Sequence, residues 1–235
     1  TTIENLTCYN QSTYDLDADS VKNIYNWYLN GKTFATLNMP FESNNSGGAG
    51  KTRDYALGNN GTVTNAIWKS TGGYDGKGAY GFDGNGDYIS TGDVGDGISS
   101  LTISAWVKPT KTHEGIYIAK DKVISQRSFA LGVTATGKLM IFFNTAAGYD
   151  YSTNCTIGYT PGVWTHLAVV YSNGATTAYV NGASTTITWT SNTASGAISN
   201  YVAITQIGRT EYATTPSYFN GSIDDVQIFN RSLSA

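Results

Sequence analysis

At 235 residues the chain is sized for one large β domain, or for one domain with a small appendage. Charged residues make up 13% of it, against roughly 25% in a typical soluble domain, and the net charge is −3. Its 14 Lys and Arg are dispersed, which excludes a clustered phosphate-binding surface and with it nucleic acid as a partner. No apolar run approaches the ~20 residues of a membrane-spanning helix, so membrane insertion is not expected.

In place of charge stand 27 Gly, 17 Tyr and many Thr, Ser and Asn, a polar but weakly charged surface that suits an extracellular or cell-surface setting. No apolar signal region opens at Thr1, and the chain reads as a mature or excised segment. Cys8 and Cys155 allow one disulfide or two unpaired thiols. Seven Asn-x-Ser/Thr sequons, at Asn5, Asn10, Asn44, Asn60, Asn154, Asn220 and Asn230, are a mild excess over chance and mark candidate glycosylation sites.

Helix periodicity is nearly absent. The first third opens with Asp15-Leu-Asp-Ala-Asp19, carboxylates at alternate positions. An aromatic stretch Asn23–Leu29 follows, then Asn30-Gly31, a pair that favours a tight hairpin. Thr36–Glu42 reads as an opening strand, and the Ser/Gly/Asn-rich residues 43–60 as a loop with little regular structure. Alternating runs then predict strands at Leu101–Val107, Phe129–Val133 and Lys138–Phe143. Asn173-Gly174 and Asn181-Gly182 predict a meander of Trp164–Tyr171, Thr176–Val180 and Ser184–Trp189. A last strand runs over Gly221–Asn230. Many short strands with a turn every 8–12 residues or so imply an all-β, two-sheet sandwich.

Seven blocks carry a family resemblance. They are Leu37–Glu42, Asp54–Gly61, Gly78–Ile89, Leu101–Val107, Gly162–Ala168, Tyr179–Gly182 and Gly221–Leu233. In this order they resemble a laminin-G-like, concanavalin A-like jelly roll, which implies an antiparallel jelly-roll sandwich over residues 34–235. Residues 1–33 resemble part of an Ig-like or PKD-like repeat: an Asp-x-Asp-x-Asp turn, a Tyr25-Asn-Trp27 strand and the Asn30-Gly31 hairpin. Such segments accompany jelly rolls in large prokaryotic, including archaeal, cell-surface proteins.

The resemblance also implies a structural calcium near the join of the first and last strands. Asp224 is its carboxylate, with Asp225, Glu42, Asp54 and the Gly58–Gly61 loop, including Asn60, as co-ligands. This donor set suits calcium, which takes six to eight oxygens. Strand alternation puts Asp224 on one face with Val226 and Ile228, where a carboxylate needs a partner. Asp83, Asn85 and Asp87 form a second cluster, read either as a calcium loop or as a Gly-rich turn bonded to its own backbone. Asp15, Asp17 and Asp19 carry the same two readings.

Catalysis finds little support. The four Glu (Glu4, Glu42, Glu114, Glu211) are scattered, without the paired carboxylates of a glycosidase strand, and neither His113 nor His166 has a local triad pattern. The resemblance makes His166 a packing residue and Trp106 and Trp164 core. Tyr149, Tyr151 and Trp189 fall near predicted loops (Phe143–Ile157 and Thr190–Ile204) and are candidates for stacking on a sugar. The expectation is a non-enzymatic structural or adhesive surface protein, a surface-layer repeat or filament subunit. Its partners would be other copies of itself or other surface proteins, with the N-terminal strands pairing with a neighbour. A calcium-dependent carbohydrate-binding module is the alternative, and a glycoside hydrolase a distant third.

Overall fold

The computed structural model describes residues 8–9, 11, 13–17, 21–122, 126–212 and 217–233. Among them there is no helix, and so none long and apolar enough to cross a membrane. Two antiparallel sheets pack face to face. One has nine strands in the order Ser191–Asn192, Gly148–Ser152, Leu139–Thr145, Gln126–Val133, Gly115–Lys122, Thr205–Ile207, Tyr88–Ser90, Gly61–Thr64 and Lys51–Thr52. The other has eight. Seven follow the order Ala183–Thr185, Ala175–Val180, Thr165–Ser172, Ser100–Pro109, Asn220–Phe229, Ala79–Asp83 and Ile67–Lys69, and Ala35–Met39 pairs with Asn220–Phe229.

The alternation that predicts these strands also builds the core. Leu139, Ile141 and Phe143 from the nine-stranded sheet meet Leu101, Ile103, Leu167, Val169 and Ile228 from the eight-stranded one in a single buried cluster. At about 25 cal/mol per Å² of apolar area, burial of such side chains supplies the main drive to fold. Type I′ turns need positive φ at both central residues, and the Asn-Gly pairs provide it. Asn173 and Gly174 have φ of 50° and 101°, and Asn181 and Gly182 have 50° and 80°. They place Ser172 opposite Ala175 and Val180 opposite Ala183.

Several expectations need correction. The third meander strand is split: Ala183–Thr185 stays in the sheet, whereas Ile187–Thr188 leaves it to pair with Asn154–Cys155. The region 43–60 holds a short strand, Lys51–Thr52, bonded to Gly61–Thr64. The Asn30-Gly31 hairpin forms, with Leu29 opposite Lys32, but Tyr25–Trp27 is not a strand. Residues 21–34 lie on this chain's own jelly roll. Asn26 Nδ2 donates to Tyr55 O (3.0 Å), Asn38 Nδ2 to Tyr25 O (3.2 Å) and Lys77 Nζ to Val21 O (3.0 Å). Cys8 is an exposed free thiol and Cys155 a buried one, donating to Ile157 O at 2.8 Å. Of the two cysteine alternatives, the structure therefore has the unpaired thiols and not the Cys8–Cys155 bridge.

Candidate functional site

The last strand does not alternate strictly. Asp224 lies opposite Trp106 and Gln227 opposite Ser104, so one extra residue is accommodated between them. Asp225 takes a left-handed conformation there, with φ of 44°. This β-bulge reverses the facing of everything before it. Val226 and Ile228 join the core, whereas Asp224 turns to the outside of the eight-stranded sheet, not to their face. It is nonetheless fully buried, because residues 73–74 fold over it. Tyr74 N donates to its Oδ2 at 3.0 Å, Asp225 N to its Oδ1 at 2.8 Å, and the Tyr74 ring stacks on Trp106 at 3.3 Å. Gly73 is required: a Cβ there would sit 2.7 Å from Asp224 Oδ2 and 2.5 Å from Gly78 O.

Glu42 reaches the same spot because Phe41, with φ of 57°, bends the chain sharply after Ala35–Met39, a turn held by Trp68 Nε1 donating to Phe41 O at 2.8 Å. Among the described residues, seven other than glycine have positive φ. Five are Asn, which tolerates it, and the other two, Phe41 and Asp225, both flank this cluster. Carboxylate oxygens of Glu42, Asp224 and Asp225 lie within 4.8 Å of one another. Lys22 pairs with Glu42 and, at 3.0 Å, with Asp75. Glu42 Oε2 is buried with no hydrogen-bond partner among the described residues. Burial, and then the charge of Asp225, push the Asp224 carboxyl up to about 7; burial raises Asp225 as well. Three converging carboxylates with an orphaned oxygen fit a hard cation that takes oxygen ligands.

The other expected ligands lie apart from this group. Asp54 accepts four backbone N–H bonds, from Asn38 (2.8 Å), Ala56 (2.9 Å), Leu57 (3.1 Å) and Asn59 (2.9 Å), so its oxygens are saturated by its own loop. Asn60 Oδ1 accepts from Asp54 N (3.0 Å). Asp83 and Asp87 form the Gly-rich turn: Asp87 Oδ2 accepts from Asp83 N (2.8 Å) and Asp83 Oδ1 from Asn85 N (2.7 Å). Asp15 accepts from Asp17 N at 3.1 Å, the geometry of an Asx turn. Asp19, Asn5 and Asn10 lie outside the described residues. Of the remaining sequons, Asn44, Asn60, Asn154 and Asn230 are exposed. Asn220 is half-buried, with its Nδ2 donating to Asp83 O (2.5 Å) and its Oδ1 accepting from Thr110.

The aromatic candidates separate too. Tyr149 and Tyr151 stand on a strand, Gly148–Ser152, rather than on a loop, and face outward from the nine-stranded sheet. Tyr151 is opposite Phe142 and Tyr149 opposite Asn144. Together with Arg127 and Tyr212 these residues line a cleft of about 450 Å³. The Tyr149 ring stacks along Phe142 (5.8 Å, 23°) and is 48% exposed. The Arg127 guanidinium carbon lies 3.8 Å from the Tyr212 ring centre and 5.1 Å from that of Phe142, with Nε donating to Asp121 Oδ2 (3.2 Å) and Nη2 to Thr210 Oγ1 (3.0 Å). Asp121 also accepts from Glu211 N (2.8 Å) and from the Thr210 hydroxyl, which holds residues 210–211 next to Tyr212.

Sequence reasoning missed Arg127, Phe142 and Tyr212; the half-buried, outward positions of Met140, Phe142 and Asn144 along an alternating strand were the available signal. Trp189 packs against the core instead of lining the cleft. Trp106 and Trp164 are half-buried and lie outside the core cluster. His166 also faces outward, 5.2 Å from Trp106, and burial lowers its pKa. His113 accepts from Asn220 N at Nε2 (2.9 Å), with its Nδ1 2.9 Å from Lys111 O.

Two antiparallel sheets packed face to face in this way form a concanavalin A-like β sandwich. The chain belongs to the laminin-G-type family described as the concanavalin A-like lectin/glucanases superfamily, whose model matches residues 83–235. Among solved structures it is similar to domain 4 of AbnA, an extracellular GH43 arabinanase from Geobacillus stearothermophilus, in complex with arabinotriose. That match has 20% identity and a TM-score of 0.59, and covers 85% of this chain and 94% of that one. Trypanosoma rangeli sialidase (12%, TM-score 0.58) is matched over 86% of this chain and 31% of its own, so the likeness spans under a third of that enzyme. The binding domain of botulinum neurotoxin DC in complex with SialylT (13%, TM-score 0.57) is matched over 86% of this chain and 48% of its own. At these identities the likeness establishes the fold. A comparison with curated proteins finds no match.

Proposed function

We propose that this chain is an extracellular glycan-binding domain that holds a sugar on the Phe142–Tyr149–Tyr151 platform without chemically altering it. The observation that carries this reading is the platform. A water-facing row of aromatic rings on a sheet whose other face is the core is costly in solvent unless it serves contact. Sugars present a flat C–H face to such rings and hydroxyls to the rim, where Asn144 and the tyrosine hydroxyls stand ready. The Arg127 charge is balanced by Asp121, so the cleft favours a neutral sugar over an anionic one. Several structural neighbours were solved with sugars, which supports the class of ligand, and the weakly charged surface supports a location outside the cell.

A calcium ion held by Glu42, Asp224 and Asp225 is the structural part of this proposal. It would satisfy the orphaned Glu42 oxygen and neutralise three adjacent carboxylates. In this reading the adhesive role expected from the sequence is exercised through glycan contacts. The test is a glycan array followed by calorimetry, with and without chelator. Tyr149→Ala is expected to weaken the best hit at least ~10-fold, or ~1.4 kcal/mol, since stacking on one aromatic is worth about that much. A hit whose affinity is unchanged in Tyr149→Ala and Tyr151→Ala removes the platform from the mechanism.

A further inference from the structure

The outer face of the eight-stranded sheet carries a second groove. Its floor is a row of side chains in register across five adjacent strands: Tyr179, Ala168, Ser104, Gln227 and Asn38. Four interstrand spacings of ~4.8 Å make this floor ~19 Å long. Small residues in the middle, Ala168 and Ser104, keep it open, and Tyr179 closes one end. At the other end residues 25–34 lie across the sheet and raise a wall of Tyr25, Trp27 and Phe34, with Trp27 39% exposed. The two cavities along this line, about 290 and 410 Å³, share Gln227, Phe229 and Leu233 and so form one continuous trough.

The chemistry of the lining selects the occupant. Among the described residues no Asp, Glu, Lys or Arg lines either cavity, and burial disfavours the charged form of the His166 imidazole. The Ser104 and Tyr179 hydroxyls, the His166 ring and the Gln227 carbonyl have no hydrogen-bond partner among the described residues; the Gln227 amide nitrogen is 3.4 Å from Asn38 Oδ1. Aromatic surface beside free donors and acceptors, without charge, complements a neutral, hydroxyl-rich chain with apolar C–H faces. We infer that this trough is a second glycan site, completed by the N-terminal segment, and that the domain therefore bridges two neutral glycan chains from opposite faces of the sandwich. This rests on the glycan-binding reading of the platform only for the second arm of the bridge, because the trough is a separate set of residues.

The test is titration of the full chain with arabinotriose, maltotriose and laminaritriose in turn, with binding stoichiometry read by calorimetry and pull-down of beads coated with the corresponding polysaccharide. Wild type should bind two equivalents and aggregate the beads. Trp27→Ala with Tyr179→Ala should leave one equivalent and abolish aggregation, and so should Tyr149→Ala with Tyr151→Ala. Ala168→Trp, which fills the trough from a half-buried outward position and leaves the core untouched, guards against misfolding of the double variant and should give the same loss. One equivalent, lost only with the platform variant, overturns the second site and keeps the platform. One equivalent, lost only with the trough variants, keeps the trough and overturns both the platform and the bridge. No binding by any of the three sugars overturns both sites. Aggregation of beads that survives both single-face variants would mean bridging by self-association and would likewise overturn the inference.

Discussion

The carboxylate cluster makes a pH-dependent prediction with an unusual sign. Asp224 is fully buried and its carboxyl is pushed up to about 7, first by burial and then by the charge of Asp225. In the unfolded chain it returns to 3.8. Without a cation, the folded state therefore holds a proton through a pH window in which the unfolded state has lost it. The stabilisation from this group is complete below about pH 4, falls as pH rises, and is gone above about pH 7. Roughly three units at ~1.4 kcal/mol each give ~4 kcal/mol across the window. Asp224→Asn removes the titration but offers one acceptor oxygen where the carboxylate offers two, to Tyr74 N and Asp225 N, and so forfeits ~1 kcal/mol. In chelator the variant should thus be ~1 kcal/mol less stable than wild type near pH 4 and ~2–3 kcal/mol more stable at pH 8. Urea denaturation followed by tryptophan fluorescence reads both ends. Stability curves that run parallel, with the variant weaker by the same amount at every pH, would refute the argument.

Calcium should invert that behaviour, because it binds the deprotonated carboxylates. With millimolar calcium, wild-type stability should rise between pH 5 and pH 8 and thermal melting should shift upward, whereas Asp224→Asn should lose most of the shift. Lys22→Gln, which frees Glu42 from its competitor, should tighten calcium several-fold by calorimetry, and no calcium-dependent shift in any of these proteins would eliminate the structural cation. Asp54→Ala leaves four backbone N–H groups of its loop without their acceptor and should cost ~3 kcal/mol or more in urea denaturation. A cost below ~1 kcal/mol would mean that water replaces the carboxylate, and the loop is not built on it.

Most of the sandwich was legible because its signals are local. Period-two runs such as Leu101–Val107 and Lys138–Phe143 and the Asn-Gly pairs at 30–31, 173–174 and 181–182 each determine their own geometry, and the structure repeats them within a residue or two. The candidate sites were less legible because they depend on register and on one-residue irregularities. Asp224 and Asp225 were recognisable as a pair, and Glu42 as their partner. The facing of Asp224 was lost to a bulge that period-two counting does not see. Asp54 was named as a calcium co-ligand but not as an acceptor saturated by backbone N–H groups, since the four donors converge only once residues 54–60 have turned against Asn38. Tyr149 and Tyr151 could be named, but not the strand pairing that sets them against Phe142. Tyr212 is brought beside Arg127 and Phe142 by the bonds among Arg127, Asp121, Thr210 and Glu211, contacts that span 83 to 90 residues of sequence.

The two outer faces also differ in how their aromatic surfaces are held, and this sets what can regulate each. The platform is pinned from within its own sheet. Asp121, 1% exposed, orients Arg127 and the Tyr212 loop at once, so the platform persists as long as the sheet does. The wall of the trough is instead a docked segment, tied to the jelly roll by the Asn26, Asn38 and Lys77 bonds and by the Lys22 ion pairs to Glu42 and Asp75. Glu42 is also a member of the cation cluster. A divalent ion that draws Glu42 to itself removes one of the ties holding Tyr25 and Trp27 in place, and leaves Asp75 and three hydrogen bonds to hold the rest. Exposed ion pairs are worth under ~1 kcal/mol, and for a pair as buried as Lys22–Glu42 the cost of desolvation offsets much of the attraction, so the tie is modest and is shared with Asp75 and the hydrogen bonds. In the proposed reading, calcium at the carboxylates and a glycan in the trough would be linked through Lys22, whereas the platform, on the opposite sheet, would not.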